Sequence, residues 1–171
     1  GCGKSLSAKA IATALGGIPL LRLDFGALKS KFVGESEGNL RKAFSVIESL
    51  GRCVVWIDEV EKAMQGATSG SADGGVSADA LGTFLTWMQE RRGDAFVVAT
   101  ANDVQGLPPE FLRKGRFDEI FWIDLPNDRE RVEVLCAALK VHGRSMEGID
   151  GQKIAAACDG FTGSEIAAIV P

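Results

Sequence analysis

The sequence predicts an α/β fold with a parallel sheet, followed by a smaller helical region. Short apolar runs alternate with helical patterns through the first two thirds of the chain, which is typical of βα repeats. The run Cys53–Ile57 has five consecutive apolar residues, as expected of a strand buried on both faces of such a sheet. After Pro126 only helical patterns remain. We therefore expect an α/β domain over residues 1–126 and a helical domain over residues 127–171.

The elements of the first half follow from periodicity and from glycine. Lys4 to Leu15 predicts a helix with an apolar face, which Gly16 and Gly17 end. Leu20 to Phe25 alternates apolar and polar residues and predicts a strand. Ser36 to Leu50 carries an apolar stripe at helical spacing and predicts a second helix before the Cys53–Ile57 strand.

The second half begins with a segment rich in glycine and serine, residues 65–77, which predicts a flexible loop. A helix is expected from there to about Arg91. Further strands are predicted at Ala95–Ala101 and Ile120–Leu125, and Pro108-Pro109 opens a short helix between them. Helices are expected at about 128–142, at 150–158 and from 163 onward.

Composition limits the class of protein. The 171 residues are 46% hydrophobic with a net charge of −4, which is ordinary for a globular domain and disfavours a nucleic-acid partner. The four cysteines form no close pairs, which argues against a zinc site and fits a reducing compartment. No apolar run approaches the roughly 18 residues of a membrane span. The chain starts without methionine and stops within a helical pattern, so we interpret it as a fragment of a longer protein.

Asp58 and Glu59 directly follow the buried Cys53–Ile57 strand. Ligands of parallel α/β sheets bind at the carboxyl ends of the strands. Two adjacent acids at such an edge suit a site in which Asp58 holds a metal and Glu59 activates water. The simpler alternative is a solvated acidic turn.

Gly3-Lys4-Ser5 opens the first helix and matches the end of the phosphate-loop pattern G-x-x-x-x-G-K-[ST]. In that pattern backbone N–H groups at the helix N-terminus bind phosphate oxygens, the lysine reaches the β- and γ-phosphates, and the hydroxyl ligates Mg²⁺. The first glycine of the pattern lies outside the chain, so the match is partial. A glycine turn before a helix with a solvated lysine is the alternative.

Three further residues complete a candidate constellation. Asn102 follows the strand next to Asp58 and is placed to orient water or the γ-phosphate, although an asparagine that starts a turn is the alternative. Arg113 and Arg116 lie three apart after a short helix and offer planar groups for phosphate. If they act on ATP, they act on the nucleotide of a neighbouring subunit, which requires a head-to-tail ring.

These motifs together resemble an AAA ATPase over essentially the whole chain. They are Gly3-Lys4-Ser5, Trp56-Ile57-Asp58-Glu59, Thr100-Ala101-Asn102 and Arg113-x-Gly115-Arg116-Phe117-Asp118. Residues 32–37 and 107–120 look closest to AAA proteins of cyanobacterial and plastid genomes. The resemblance implies a three-layer αβα phosphate-loop NTPase fold, here without its first strand, followed by part of a helical lid.

The resemblance also implies a role for each motif, with ATP and Mg²⁺ as ligands. Walker A would comprise Gly1, Cys2, Gly3, Lys4, Ser5 and Leu6, and the lid would add Gly163 and Ser164 to the nucleotide site. Ser5 and Asp58 would hold the metal, Glu59 would activate water, Asn102 would be sensor 1, and Arg113 and Arg116 would be arginine fingers acting in trans. Phe32, Val33 and Gly34 would form a pore loop that grips a polypeptide. A contact between Phe32 and the core is the alternative reading of that loop.

Two departures from the family pattern stand out. Lys114 replaces a common proline, and Gly163-Ser164-Glu165 replaces Gly-Ala-Asp or Gly-Ala-Glu. We expect the intact protein to be a hexameric homo-oligomer in the cytoplasm or plastid stroma that uses ATP to remodel or translocate a protein substrate. We expect the fragment alone to be inactive. The alternatives are a subunit of an ATP-dependent protease, a regulatory nucleotide-binding module, and a clamp loader or helicase.

Overall fold

The computed structural model describes residues 1–25, 27, 35–62, 64, 78–91 and 93–170. The predicted pore loop at Phe32, Val33 and Gly34 and the predicted loop at residues 65–77 lie outside the described residues. Two compact units are present: one is Ser5–Ile120, and the other joins Gly1–Lys4 to the chain from Phe121 onward. Each unit is described by itself below.

The described strands of the larger unit form a parallel sheet. Strand β1 (Leu20–Arg22) pairs with β2 (Cys53–Ile57), and β2 pairs with β3 (Ala95–Ala99), so β2 is central. Leu21 lies opposite Val55, and Val55 lies opposite Val97. This confirms the predicted parallel α/β fold. Because all strands run the same way, the residues that follow β2 and β3 emerge at one edge of the sheet.

Two helices pack on one face of this sheet through an aromatic cluster. They are α2 (Glu35–Leu50) and α3 (Ala78–Glu90). Phe44 of α2 stacks on Trp87 of α3 with ring centroids 4.4 Å apart, and Phe84 is fully buried beside them. The Trp87 indole N–H donates to the Glu48 carboxylate at 3.1 Å, so the polar atom of the Trp87 ring has a hydrogen-bond partner.

Helix α1 (Lys4–Ala14) presents small residues to the protein interior. Ala8 and Ala12, one helical turn apart, are buried at 0% and 6% exposure. Val54 of β2 is also fully buried, and it points away from the face that α2 and α3 cover because strand side chains alternate. The hydrogen bond between the Ser5 hydroxyl and Asp58 brings the start of α1 to the carboxyl edge of the sheet.

The predicted strand at Ile120–Leu125 is wrong. These residues have no strand conformation, and Ile120, Phe121 and Trp122 are 60%, 79% and 81% exposed. A strand is stable only when a neighbour satisfies its backbone hydrogen bonds, and no strand in the described part of the chain pairs with this segment. The predicted strands at Leu20–Phe25 and Ala95–Ala101 are present but end earlier, at Arg22 and Ala99.

The second unit is helical, as predicted after Pro126. It contains α4 (Asp128–Val141), α5 (Gly151–Ala157) and α6 (Gly163–Ala167). Asn127 and Thr162 form capping boxes with Glu130 and Glu165, which explains where α4 and α6 begin. The helices pack around a small core of Leu135, Ala138, Leu139, Cys158, Ile166 and Val170.

A 3₁₀ helix at Pro109–Leu112 belongs to the larger unit and matches the predicted short helix. None of the helices that the structure describes is long and apolar enough to cross a membrane.

Candidate active site

Asp58 lies at the carboxyl edge of the sheet, directly after β2, where the sequence predicted it. Its Oδ1 atom accepts a hydrogen bond from the Ser5 hydroxyl at 2.9 Å and another from the Thr100 hydroxyl at 2.6 Å. Ser5 comes from the first turn of α1, and Thr100 follows β3. Three separate elements of the larger unit therefore meet at one carboxylate.

Thr100 connects the ends of β2 and β3. Its hydroxyl accepts from the Glu59 N–H at 3.1 Å while it donates to Asp58. The Thr100 N–H donates to the Ile57 carbonyl oxygen, and the Thr100 carbonyl oxygen accepts from the Val60 N–H, each at 2.9 Å. Thr100 lies in the motif Thr100-Ala101-Asn102, but no role for it was predicted from the sequence. Its burial at 7% exposure and its paired bonds identify it as the residue that fixes the backbone of both acids.

Glu59 adopts an uncommon backbone conformation, with φ at 49°. A non-glycine residue in this left-handed region is strained, and the bonds on either side of Glu59 hold it there. Its Oε1 atom accepts from the Asn102 side-chain amide at 3.2 Å and from the Lys62 ammonium at 2.8 Å. The hydrogen bond and the charge of Glu59 raise the pKa of Lys62 above its ordinary value. Asn102, which was expected beside the end of the Asp58 strand, thus contacts the side chain of Glu59 directly.

Glu61 belongs to the same site and was missed by sequence reasoning. Its side chain is buried at 4% exposure, and Oε1 accepts from the Asn102 backbone N–H at 3.1 Å. The available signal was a third acid two positions after Glu59, at the start of a helical turn. A glutamate on a helix is usually solvated, so its burial was not predictable from the pattern.

The oxygens of Ser5 and Asp58 fit Mg²⁺. Their separation of 2.9 Å matches that of neighbouring corners of an octahedral site, about 2.9 Å for metal–oxygen bonds of 2.0–2.1 Å. No group of three or more His, Cys, Asp or Glu side chains suited to a metal occurs among the residues that the structure describes. Mg²⁺ commonly binds through one or two protein oxygens together with water and substrate phosphates. Ser5 and Asp58 are therefore the side chains that could hold Mg²⁺ together with water and phosphate oxygens.

The start of the chain contacts the helical unit. Gly3 has φ at 87°, a conformation that favours glycine, and α1 begins at the next residue, Lys4. The Ser164 N–H donates to the Gly1 carbonyl oxygen at 3.0 Å. A Cβ on Gly163 would lie 3.5 Å from that same oxygen, which is an ordinary van der Waals contact. Gly1, Gly163 and Ser164, all predicted to bind nucleotide, are thus adjacent. Of the other predicted residues, Cys2 is partly buried and Leu6 is 65% exposed.

The two predicted arginine fingers follow the 3₁₀ helix. Arg113 caps this helix and is exposed. The Arg116 guanidinium donates to the carbonyl oxygen of Glu110 in the same turn, and Gly115 between them has φ at 87°. The arginines are therefore presented on a tight turn of the larger unit, with Arg113 available to another molecule.

Comparison with known proteins agrees with this geometry. Residues 1–125 match the family described as "ATPase family associated with various cellular activities (AAA)". The chain is 50% identical over 167 residues to the uncharacterized AAA domain-containing protein ycf46 of Pyropia yezoensis, and 43% identical to that of Guillardia theta. It is 32% identical over 179 residues to the ribosome biogenesis ATPase RIX7 of Saccharomyces cerevisiae.

These matches include nearly all of this chain but only part of each relative. They cover 97% of the chain against the two ycf46 proteins and 99% against RIX7. The chain spans about a third of the length of the ycf46 proteins, at 34% and 33%, and 20% of RIX7. The family match covers most of the chain and includes Ser5, Asp58, Glu59 and Asn102. The chain belongs to the AAA ATPase family.

Proposed function

We propose that the protein containing this domain hydrolyses ATP with Mg²⁺, by attack of water on the γ-phosphate. The observation that carries the proposal is the arrangement of two acids with separate partners at one sheet edge. Asp58 contacts the hydroxyls of Ser5 and Thr100, whereas Glu59 contacts Asn102. These separate partners support a metal-binding role for Asp58 and a water-activating role for Glu59.

Each residue has a distinct task in this proposal. Lys4 and the backbone N–H groups at the start of α1 bind the phosphates, because a helix N-terminus carries partial positive charge. Ser5 and Asp58 hold Mg²⁺, which neutralises charge on the phosphate oxygens when bound. Glu59 accepts a proton from the attacking water, and Asn102 orients that water. A positioned general base is worth roughly 10²–10⁴ in rate.

The proposal extends to a ring that acts on another protein. Arg113 is exposed on its turn, which suits a side chain that reaches the nucleotide of a neighbouring subunit. Phe32, Val33 and Gly34 are assigned to the channel of the ring on sequence grounds. One relative, RIX7, is named as a ribosome biogenesis ATPase. A regulatory module with little turnover is the competing function.

The test compares the full-length protein with Glu59→Gln. The amide keeps the size of the side chain but removes its basicity, so ATP turnover is expected to fall by roughly 10²–10⁴ while binding of ATP with Mg²⁺ is retained. Asp58→Asn is expected to weaken Mg²⁺-dependent binding as well. Glu48→Gln, which alters a hydrogen-bonded glutamate of α2, is the matched control and is expected to turn over normally.

Two results would contradict the proposal. Unchanged turnover in Glu59→Gln would show that this carboxylate is not the base. Equal and near-zero rates in the unmodified protein and in Glu59→Gln, with intact ATP binding, would favour the regulatory module.

A further inference from the structure

Glu61 is a buried carboxyl group with a hydrogen bond at only one of its two oxygens among the described residues. Its Oε1 atom accepts from the Asn102 N–H at 3.1 Å. Its Oε2 atom is buried and has no hydrogen-bond partner among the described residues. Burial of an incompletely paired polar group is unfavourable, but an apolar side chain of similar size would leave the Asn102 N–H without its acceptor. The contribution of this side chain therefore lies in that one hydrogen bond.

The bond that Glu61 does make leads to the candidate base. The Asn102 backbone N–H donates to Glu61 Oε1, and the Asn102 side-chain amide donates to Glu59 Oε1 at 3.2 Å. The chain from Glu61 through Asn102 to Glu59 thus joins two acids that are two positions apart. The bond from Glu61 fixes the backbone of Asn102, and the side chain of Asn102 contacts Glu59, the candidate base.

The surroundings make this connection rigid. The Val60 N–H donates to the Thr100 carbonyl oxygen at 2.9 Å, and the Lys62 N–H donates to the Glu59 carbonyl oxygen at 3.0 Å. Thr100 and Asn102 therefore each bond to the turn that contains Glu61. Two bonds two residues apart define both the position and the direction of the segment after β3, which a single bond would not do.

We propose that Glu61 is a positioning residue for ATP hydrolysis, and that it acts through Asn102 on Glu59. The inference rests on the proposed function, since it assigns Glu59 as the base. In this role the Glu61 carboxylate acts as the acceptor for the Asn102 backbone N–H, and the negative charge of Glu61 is not required.

The kinetic test uses the full-length protein with Glu61→Gln and Glu61→Met. Glutamine keeps an acceptor oxygen, so kcat is expected to stay within about threefold of the unmodified protein. Methionine has similar length but no comparable acceptor, so kcat is expected to fall by about 10- to 100-fold with the KM for ATP within about twofold. A purely structural role would lower the melting temperature without this separation of kcat from KM.

A double variant and a control make the test specific. In an Asn102→Ala background, Glu61→Met is expected to cause no additional loss of kcat, because the residue through which it acts is already truncated. Glu48→Met removes the acceptor of the Trp87 indole, and it is expected to lower the melting temperature and leave kcat unchanged. Independent, multiplicative losses from Glu61→Met and Asn102→Ala would overturn the proposal.

Hydrogen exchange of the Asn102 amide supplies a readout that does not require turnover. We expect exchange at this N–H to be slow in the unmodified protein and in Glu61→Gln, and about tenfold or more faster in Glu61→Met. Equal exchange in all three would overturn the positioning role, whatever the kinetics. If exchange responds as expected but the unmodified protein turns over no faster than Glu59→Gln, the link to Asn102 stands and the proposed function is the part that fails.

Discussion

Thr100 makes hydrogen bonds to both acids of the candidate site. One hydroxyl donates to the Asp58 carboxylate and accepts from the Glu59 N–H. Because these bonds use the donor and an acceptor position of the same oxygen, the two acids cannot shift independently. The strained φ of 49° at Glu59 is compatible with this bond, which holds the Glu59 peptide in place.

Replacement of Thr100 tests this coupling. Thr100→Val keeps the shape but removes the hydroxyl, which leaves the Glu59 N–H without its acceptor. We expect a loss of about 1–3 kcal/mol in the free energy of unfolding, measured by urea denaturation, and a reduced kcat for ATP. Thr100→Ser keeps the hydroxyl and is expected to retain most of both. Equal turnover in the serine and valine variants would contradict the role of the hydroxyl.

Sequence patterns predicted the residues of the site that follow strands directly. Asp58, Glu59 and Asn102 were found because strand ends of a parallel sheet converge, and the contact between Glu59 and Asn102 is present. Glu61 was not found, because its importance depends on burial and on one backbone N–H across the sheet edge. Sequence proximity to Asp58 carries no information on that contact.

At the scale of elements, Arg131 organises the helical unit. It lies in α4 with 6% exposure. Its Nε atom donates to the Ala155 carbonyl oxygen at 2.8 Å, and Nη1 donates to the Pro126 carbonyl oxygen at 2.9 Å. The guanidinium also pairs with Asp128 and with Asp159. One planar group with fixed donors thus joins α4, the end of α5 and the segment before α4.

Replacement of Arg131 tests the contribution of this guanidinium to stability. Arg131→Met removes the donor of the Pro126 carbonyl oxygen and leaves the Ala155 carbonyl oxygen with only the Cys158 N–H, so we expect the helical unit to lose about 2–4 kcal/mol of unfolding free energy. Arg131→Lys is expected to recover little, because a single ammonium does not match donors directed at several acceptors. The loss is measured by denaturant unfolding followed by circular dichroism.

Arg129 provides the matched control in the same helix. It pairs with Glu133 at 3.1 Å, and its side chain is 89% exposed. Exposed pairs contribute about 0–1 kcal/mol, so Arg129→Met is expected to change stability within that range. A comparable loss in the Arg129 and Arg131 variants would show that charge removal from α4, not burial, is responsible.

The elements also show where pattern reading fails. Cys53–Ile57 was predicted with its observed bounds because a run of buried apolar residues is central in a sheet whatever surrounds it. Ile120–Leu125 has a similar apolar composition but is not a strand. Strand formation depends on a neighbour that supplies hydrogen bonds, and the apolar pattern of a segment does not report whether that neighbour is present.

At the scale of the whole molecule, Arg113 and Arg116 are the residues whose proposed role requires a second subunit. Arg113 is exposed on a turn of the larger unit, while Asp58 and Glu59 cluster with Ser5, Thr100 and Asn102. If Arg113 and Arg116 act in trans, each active site combines residues of two subunits. The activity of a mixed assembly then depends on which residues are defective in which subunit.

Subunit mixing of the full-length protein tests this arrangement. We expect Glu59→Gln and the double variant Arg113→Ala/Arg116→Ala to be nearly inactive separately. In a mixed ring, a subunit with intact Glu59 can lie beside one with intact arginines, so equal amounts should restore about a quarter of the sites. Mixing Glu59→Gln with Lys4→Ala is the matched control, because both residues serve the nucleotide of their own subunit. No recovery is expected there, since every site then lacks one of them. Recovery in neither mixture, although the subunits exchange, would mean that the arginines act on the nucleotide of their own subunit, together with that subunit's Glu59.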